Sequence, residues 1–152
     1  MTLLIRQATD RDAERIHEVH LASVRGLCRT AYEPKVIDGW LRGRSAAGYA
    51  VGIGQGAMFV AEIDAVVVGF CHAIQDEIIA MFVHPASTGQ GVGAALLSNA
   101  LERAARSGRV VRLESTLNAV AFYERFGFRA LGRSTVRRND VDIPVVIMER
   151  QS

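Results

Sequence analysis

The stretch Met81-Phe-Val-His-Pro-Ala-Ser-Thr-Gly-Gln-Gly-Val-Gly-Ala-Ala-Leu-Leu97 constrains this chain more than any other. An apolar strand runs into Gly89, Gly91 and Gly93, and the apolar positions Val92, Ala95, Leu96, Ala100 and Leu101 then recur at helical spacing. Glycines let a backbone approach a ligand and adopt positive φ. The first helical turn leaves its N–H groups unpaired at the positive end of the dipole. A strand–glycine–helix junction of this kind predicts an anion site for a phosphate or pyrophosphate. A merely structural turn needs one glycine, and alternating glycines inside a helix start weaken it by roughly 1 kcal/mol each.

The residues narrow the ligand. A nucleoside triphosphate P-loop needs a Gly-Lys pair, which the chain lacks. A dinucleotide fingerprint is met in part by Gly89, Gly91 and Ala94, with Glu114 about where a ribose-binding acid falls. Against it, His84 to Thr88 separates the strand from the glycines, and only one clear βαβ unit is present.

The flanking pattern is α/β. Leu3–Ala8 is a strand candidate, and Thr9 with Asp12 forms a capping-box signature ahead of a helix carrying Ala13, Ile16, Val19, Leu21, Val24 and Leu27. Glu33-Pro34 predicts a second helix start, with Ile37, Trp40 and Leu41 buried. Gly43 to Gly56 reads as a loop. Strands are predicted at Ala57–Ile63, Val66–Ile74 and Glu77–Val83, the first two joined by a tight turn at Asp64-Ala65. The glycine-loop helix is predicted to run to about Ser107 and end at Gly108. A strand at Val110–Glu114, a short helix at Ala119–Phe126, and strands at Phe128–Val136 and Val141–Met148 complete a mixed sheet with helices on its faces.

Composition excludes several classes. The 152 residues are of ordinary single-domain length. They are 49% hydrophobic and 22% charged, which rules out a disordered chain. Eighteen Lys and Arg against sixteen Asp and Glu leave a net charge of +2, too small to make nucleic acid or an anionic membrane the expected partner. No apolar run reaches the ~20 residues of a membrane span, and the N-terminus lacks signal-peptide order. Cys28 and Cys71 form neither a disulfide framework nor a CxxC pair, so the expected compartment is the reducing cytoplasm.

The residues Ile78-Ile-Ala-Met-Phe-Val-His-Pro85 with Gly89-Gln-Gly-Val-Gly-Ala-Ala-Leu-Leu97 resemble motif A of the GNAT superfamily, the acyl-CoA-dependent N-acetyltransferases. Leu117-Asn-Ala-Val-Ala-Phe-Tyr-Glu-Arg-Phe-Gly-Phe128 is similar to that family's second signature, and Ile5-Arg-Gln-Ala-Thr-Asp10 to its usual opening. The resemblance covers nearly the whole chain and implies a GNAT-like mixed sheet, splayed after Glu77–Val83 and flanked by helices on both faces. It implies acetyl-CoA as co-substrate in that wedge. The main chain of Met81 and Val83 would meet the pantetheine as an added strand, and the N–H groups of Gly89, Gln90, Gly91, Val92, Gly93 and Ala94 would hold the pyrophosphate. Asn118 and Tyr123 would stand near the pantetheine and the sulfur. Thr88 replaces the family's usual Arg or Gln and brings a hydroxyl but no charge.

The implied reaction is acetyl transfer to a primary amine of a small molecule or peptide by direct attack on the thioester. Tyr123 takes the family's place for the general acid. Glu77, at the start of the central strand, is expected as the base; His72 and Glu114 are the other candidates, with a hydrogen-bonded core role the expectation for His72. Cys71 and His72 alternate faces, which disfavours a nucleophile pair. His17 and His20 lack a third ligand, and no metal site is assigned. Tyr32 and Trp40 lie where the family forms its acceptor pocket. Arg25, Arg29, Arg42 and Arg44 flank that region, and a solvated basic face is preferred over selection of an acidic acceptor. The terminal strand suggests a homodimer. Two other functions compete, a non-catalytic CoA-binding sensor and a small dinucleotide binder.

Overall fold

The computed structural model describes residues 2–105 and 110–151. Seven strands form one sheet in the order β1-β2-β3-β4-β5-β7-β6: β1 Leu3–Gln7, β2 Met58–Ile63, β3 Val66–Ile74, β4 Glu77–Val83, β5 Val111–Ser115, β6 Arg129–Arg138 and β7 Val141–Arg150. Every expected strand is present. Helices α1 (Ala13–Leu27), α2 (Pro34–Leu41) and α3 (Ala50–Gly54) lie on one face, and α4 (Val92–Ala105) and α5 (Val120–Glu124) on the other. The expected end of the glycine-loop helix, Ser107 and Gly108, lies outside the described residues. The central strands are apolar on both faces because helices cover both.

Local chemistry explains the junctions. The Thr9 N–H donates to Asp12 Oδ2 at 2.8 Å, and Arg6 grips both Asp12 oxygens at 2.8 Å while reaching Glu62. Arg6 therefore holds the Asp12 carboxyl below its ordinary value and fastens the start of α1 to the sheet. Asp64 and Ala65 both have positive φ, as a two-residue hairpin turn requires.

Two expectations are corrected. The segment from Gly43 to Gly56 is not simply a loop: it carries a 3₁₀ turn, Ala46–Tyr49, and then α3. Packing overrides its poor helix propensity, because Tyr49 and Ile53, one turn apart, join the aromatic and aliphatic core around Phe70. On α1 the buried positions include His20 and Ser23, while Leu21 is only partly covered. The His20 ring packs 4.4 Å from Phe82, and its Nδ1 lies 2.8 Å from the Tyr49 hydroxyl, so a polar side chain is satisfied where a hydrophobe was expected.

The opening in the sheet follows from strand pairing. β4 and β5, the one parallel pair among the described residues, share only Glu77↔Arg112 and Ile78↔Leu113. Beyond Ile78 the strands diverge. β4 also bulges there: His72 of β3 pairs with Ala80 while Ala73 pairs with Ile78, leaving Ile79 as the extra residue. A doubly wound dinucleotide fold needs successive parallel strands, whereas the other neighbouring pairs here are antiparallel.

Candidate active site

A cavity of about 380 Å³ occupies the divergence of β4 and β5. Its walls are β4 from Ile78 to Val83, the glycine loop, Leu113 and Glu114 of β5, residues of α5 and the turn before it, Ser23 and Leu27 of α1, and Cys28 just after that helix. Of the expected site residues, Met81, Val83, Thr88, Gly89, Gly91, Val92, Gly93, Ala94, Asn118 and Tyr123 line it, and Gln90 and Glu77 do not.

Hydrogen-bond parity decides what β4 offers. The His84 N–H donates to the Val68 carbonyl of β3 at 2.8 Å. Main-chain groups alternate sides along a strand, so those of Met81 and Val83 point away from β3 into the divergence. They form a short open strand edge inside the molecule.

The three glycines differ in their work. Gly89 and Gly91 have φ of +77° and +80°, with open space where a side chain would begin, so their need is conformational. Gly93 meets the Phe122 ring 3.2 Å from where its Cβ would lie and lets α4 sit close against α5. The Ala95 N–H donates to the Gly91 carbonyl as the first bond of α4, leaving the N–H groups of Gly91 to Ala94 without intrahelical acceptors. The Thr88 hydroxyl donates to the Pro85 carbonyl at 3.1 Å, so it closes the preceding turn.

Tyr123 is buried between Phe122 and Phe128, and burial pushes its hydroxyl above the ordinary phenol value. The Asn118 side chain lies within hydrogen-bonding reach of the Cys28 thiol, which burial pushes up to about 11. Burial likewise drives the Cys71 thiol up to about 12, which keeps it protonated and unreactive. Glu114 lines the cavity, and Glu77 is exposed at the start of β4. His72 stands outside the cavity with Nε2 buried against Gly52, and that nitrogen has no hydrogen-bond partner among the described residues. The expected hydrogen-bonded core role for His72 is therefore corrected.

The sequence names Tyr32 near the acceptor pocket but not its bridging role. The Tyr32 hydroxyl donates to the Pro144 carbonyl at 2.6 Å and accepts from the Leu117 N–H at 3.0 Å. It ties the loop bearing Asn118 to β7. The sequence offers Tyr32 as an aromatic near α2, but no local pattern reports a partner more than a hundred residues away.

Residues 54–130 match the acetyltransferase (GNAT) domain family. An uncharacterized N-acetyltransferase of Methanocaldococcus jannaschii is 31% identical over 84% of this chain, and the match covers 61% of that protein's length. A GCN5-related N-acetyltransferase structure from Rhodopseudomonas palustris superposes with a TM-score of 0.94 at 24% identity, covering 100% of this chain and 97% of that one. The PaiA N-acetyltransferase of Thermoplasma acidophilum, solved in complex with coenzyme A, gives 0.80 at 23% identity over 100% of both chains. With a matched family domain over half its length and the same fold throughout, the chain belongs to the GNAT acetyltransferase family.

Proposed function

We propose that this protein transfers an acetyl group from acetyl-CoA to a primary amine of a small molecule or peptide, with residues 1–152 acting as one N-acetyltransferase domain. The observation that carries the reading is the open edge of β4 leading directly into an unpaired helix N-terminus, with a buried phenol on the facing wall. An extended chain bearing amides and ending in a pyrophosphate fits such a path. The main chain of Met81 and Val83 would pair with the amides. The N–H groups from Gly89 to Ala94 would take the pyrophosphate. Solved relatives carrying coenzyme A or acetyl-CoA on this fold support the choice of co-substrate.

Acetyl-CoA, when bound, supplies an activated acyl carbon. The amine nitrogen bonds to that carbon as the carbon–sulfur bond breaks. Tyr123 gives its phenolic proton to the departing sulfur, and a carboxylate takes the proton the amine must lose. Glu114 lines the cavity and Glu77 does not, so we assign the acceptor of that proton to Glu114. Two free, buried cysteines support a cytoplasmic setting; no helix among the described residues is long and apolar enough to cross a membrane. The terminal strand β7, expected to carry a homodimer, is paired on both sides by β5 and β6, so the homodimer is proposed through the exposed edge strand β6 and is tested by sedimentation.

The test is calorimetric titration with acetyl-CoA, CoA and NAD, followed by a thiol-release assay with an amine panel. Acetyl-CoA is expected to bind and NAD to be silent. Tyr123→Phe is expected to lower kcat by about 10²–10⁴-fold while acetyl-CoA affinity stays unchanged. Binding without turnover in the wild type would point to a sensor instead, and binding of NAD alone would overturn the reading.

A further inference from the structure

The arginines around α2 are not one solvated face. Arg25, Arg29 and Arg42 are exposed, but Arg44 is half-buried and so is Arg138 at the end of β6. Their Nε atoms donate to the same acceptor, the Trp40 carbonyl, at 3.0 and 2.9 Å. Two guanidinium groups therefore converge on one oxygen. Arg138 spends one more nitrogen on the Arg42 carbonyl. The terminal nitrogens of Arg44 have no protein acceptor among the described residues, and no carboxylate there bridges either arginine. The nearest ion pair joins Arg42 and Asp140, at 3.9 Å.

Capping the end of α2 explains one of these side chains, because cations suit a helix C-terminus. It does not explain the second, which adds a repelling charge at a carbonyl already served. Burial and Arg138 both press the Arg44 guanidinium downward, with only Tyr49 acting the other way. An arrangement of two adjacent planar forks lacking an acid matches the bidentate geometry by which arginines hold carboxylates and phosphates.

Neither arginine lines the cavity, but the pair connects to its wall through Tyr49 and His20. Both arginines act on Tyr49, whose hydroxyl meets His20, and the His20 ring packs on Phe82 of the cavity wall. Ser23 of the same wall is three residues further along α1, roughly 4.5 Å of helix rise. His20 is held neutral by burial and brings no charge of its own.

We propose that Arg44 and Arg138, whose forks converge at the Trp40 carbonyl, form an oxyanion subsite of the acceptor pocket. The preferred acceptor is then an amine that also carries a carboxylate or a phosphate. The selectivity rests on the acetyltransferase reading above; the anion site itself does not.

The first measurement is titration of the protein alone, at low ionic strength, with glutarate and separately with inorganic phosphate. One of them is expected to bind, and the stronger identifies the oxyanion. Arg44→Gln and Arg138→Gln should each weaken that binding roughly tenfold or more. Arg138→Lys, which keeps the charge and loses the fork, should retain part of it, and unchanged melting temperatures exclude misfolding. Binding that persists undiminished in both Gln variants, or no binding at all, overturns the subsite whether or not the protein proves to be an acetyltransferase.

The second measurement is thiol release from acetyl-CoA with glutamate against glutamine amide, and with O-phosphoethanolamine against ethanolamine. The anionic member of one pair should be favoured roughly tenfold or more in kcat/KM, and the Gln variants should reduce that preference by a similar factor. Equal use of both members by the wild type overturns the proposed selectivity. Anion binding with no thiol release from any acceptor overturns the acetyltransferase reading and leaves the anion subsite standing.

Discussion

A proton donor is useful only if it holds its proton, and Tyr123 does so without help. It is 6% exposed, and its hydroxyl is pushed above the ordinary phenol value by burial. The more demanding assignment is the base. Glu114 alternates with buried Leu113 and Ser115 along β5, and its own position is on the cavity wall. Glu77 pairs with Arg112 below the point where the strands part. Glu114→Gln is therefore expected to lower kcat about a hundredfold. Glu77→Gln should behave as a surface change, within about 0.5 kcal/mol. Steady-state kinetics on both variants decides it; the opposite ranking returns the role to Glu77. Sequence position favours Glu77, since it begins the central strand. Which carboxylate faces the cavity depends on β4 and β5 pairing over two residues only, and that is a tertiary fact.

At the scale of elements, the site is a defect in the sheet. Strands that stay paired offer no main-chain edge; β4 offers one because its partner leaves after Ile78. The cradle depends on backbone conformations that few side chains allow. Gly91→Ala places an alanine at φ +80°, a left-handed conformation costing about 1–2 kcal/mol. Acetyl-CoA affinity in a calorimetric titration should fall about tenfold, with the fold preserved because nothing lies where the new methyl group would go. Wild-type affinity in Gly91→Ala would show that this loop is not the anion cradle. These elements are legible in sequence because their signals are local: hydrophobic period, glycine spacing, and Pro34 at a helix start. The helix α3 is not, since Gly52, Gly54 and Gly56 argue for a loop and only packing of Tyr49 and Ile53 on Phe70 and its neighbours argues back. The meeting of Arg44 with Arg138 is equally silent in sequence, as the two lie on α2's flank and at the far end of β6.

For the whole molecule, the helices on the α1 face are joined through a polar pair in an aromatic core, and this makes stability depend on pH. His20 packs on Phe82 and Phe70, with Tyr49 as its hydrogen-bond partner. Burial first, then the field of Arg44, lowers its pKa from 6.5 to about 3. The folded protein thus keeps His20 neutral where the unfolded chain binds a proton. Stability from this residue is complete above about pH 6.5, falls as pH drops below it, and stops falling near pH 3. Between pH 7 and pH 5 the loss is about 2 kcal/mol, which lowers the melting temperature by roughly 4–8 °C for a chain of this length. His72, whose pKa burial also lowers, adds to the loss in the same direction. Asp12, held below its ordinary value by Arg6, acts only at lower pH, because carboxylates begin to protonate near pH 3.9. Thermal melts at pH 7 and pH 5 on the wild type and on His20→Phe separate these terms. The variant keeps the ring stack but cannot be protonated, so its melting temperature should drop distinctly less over that interval. An equal drop in both proteins would place the acid sensitivity elsewhere and leave His20 as packing alone.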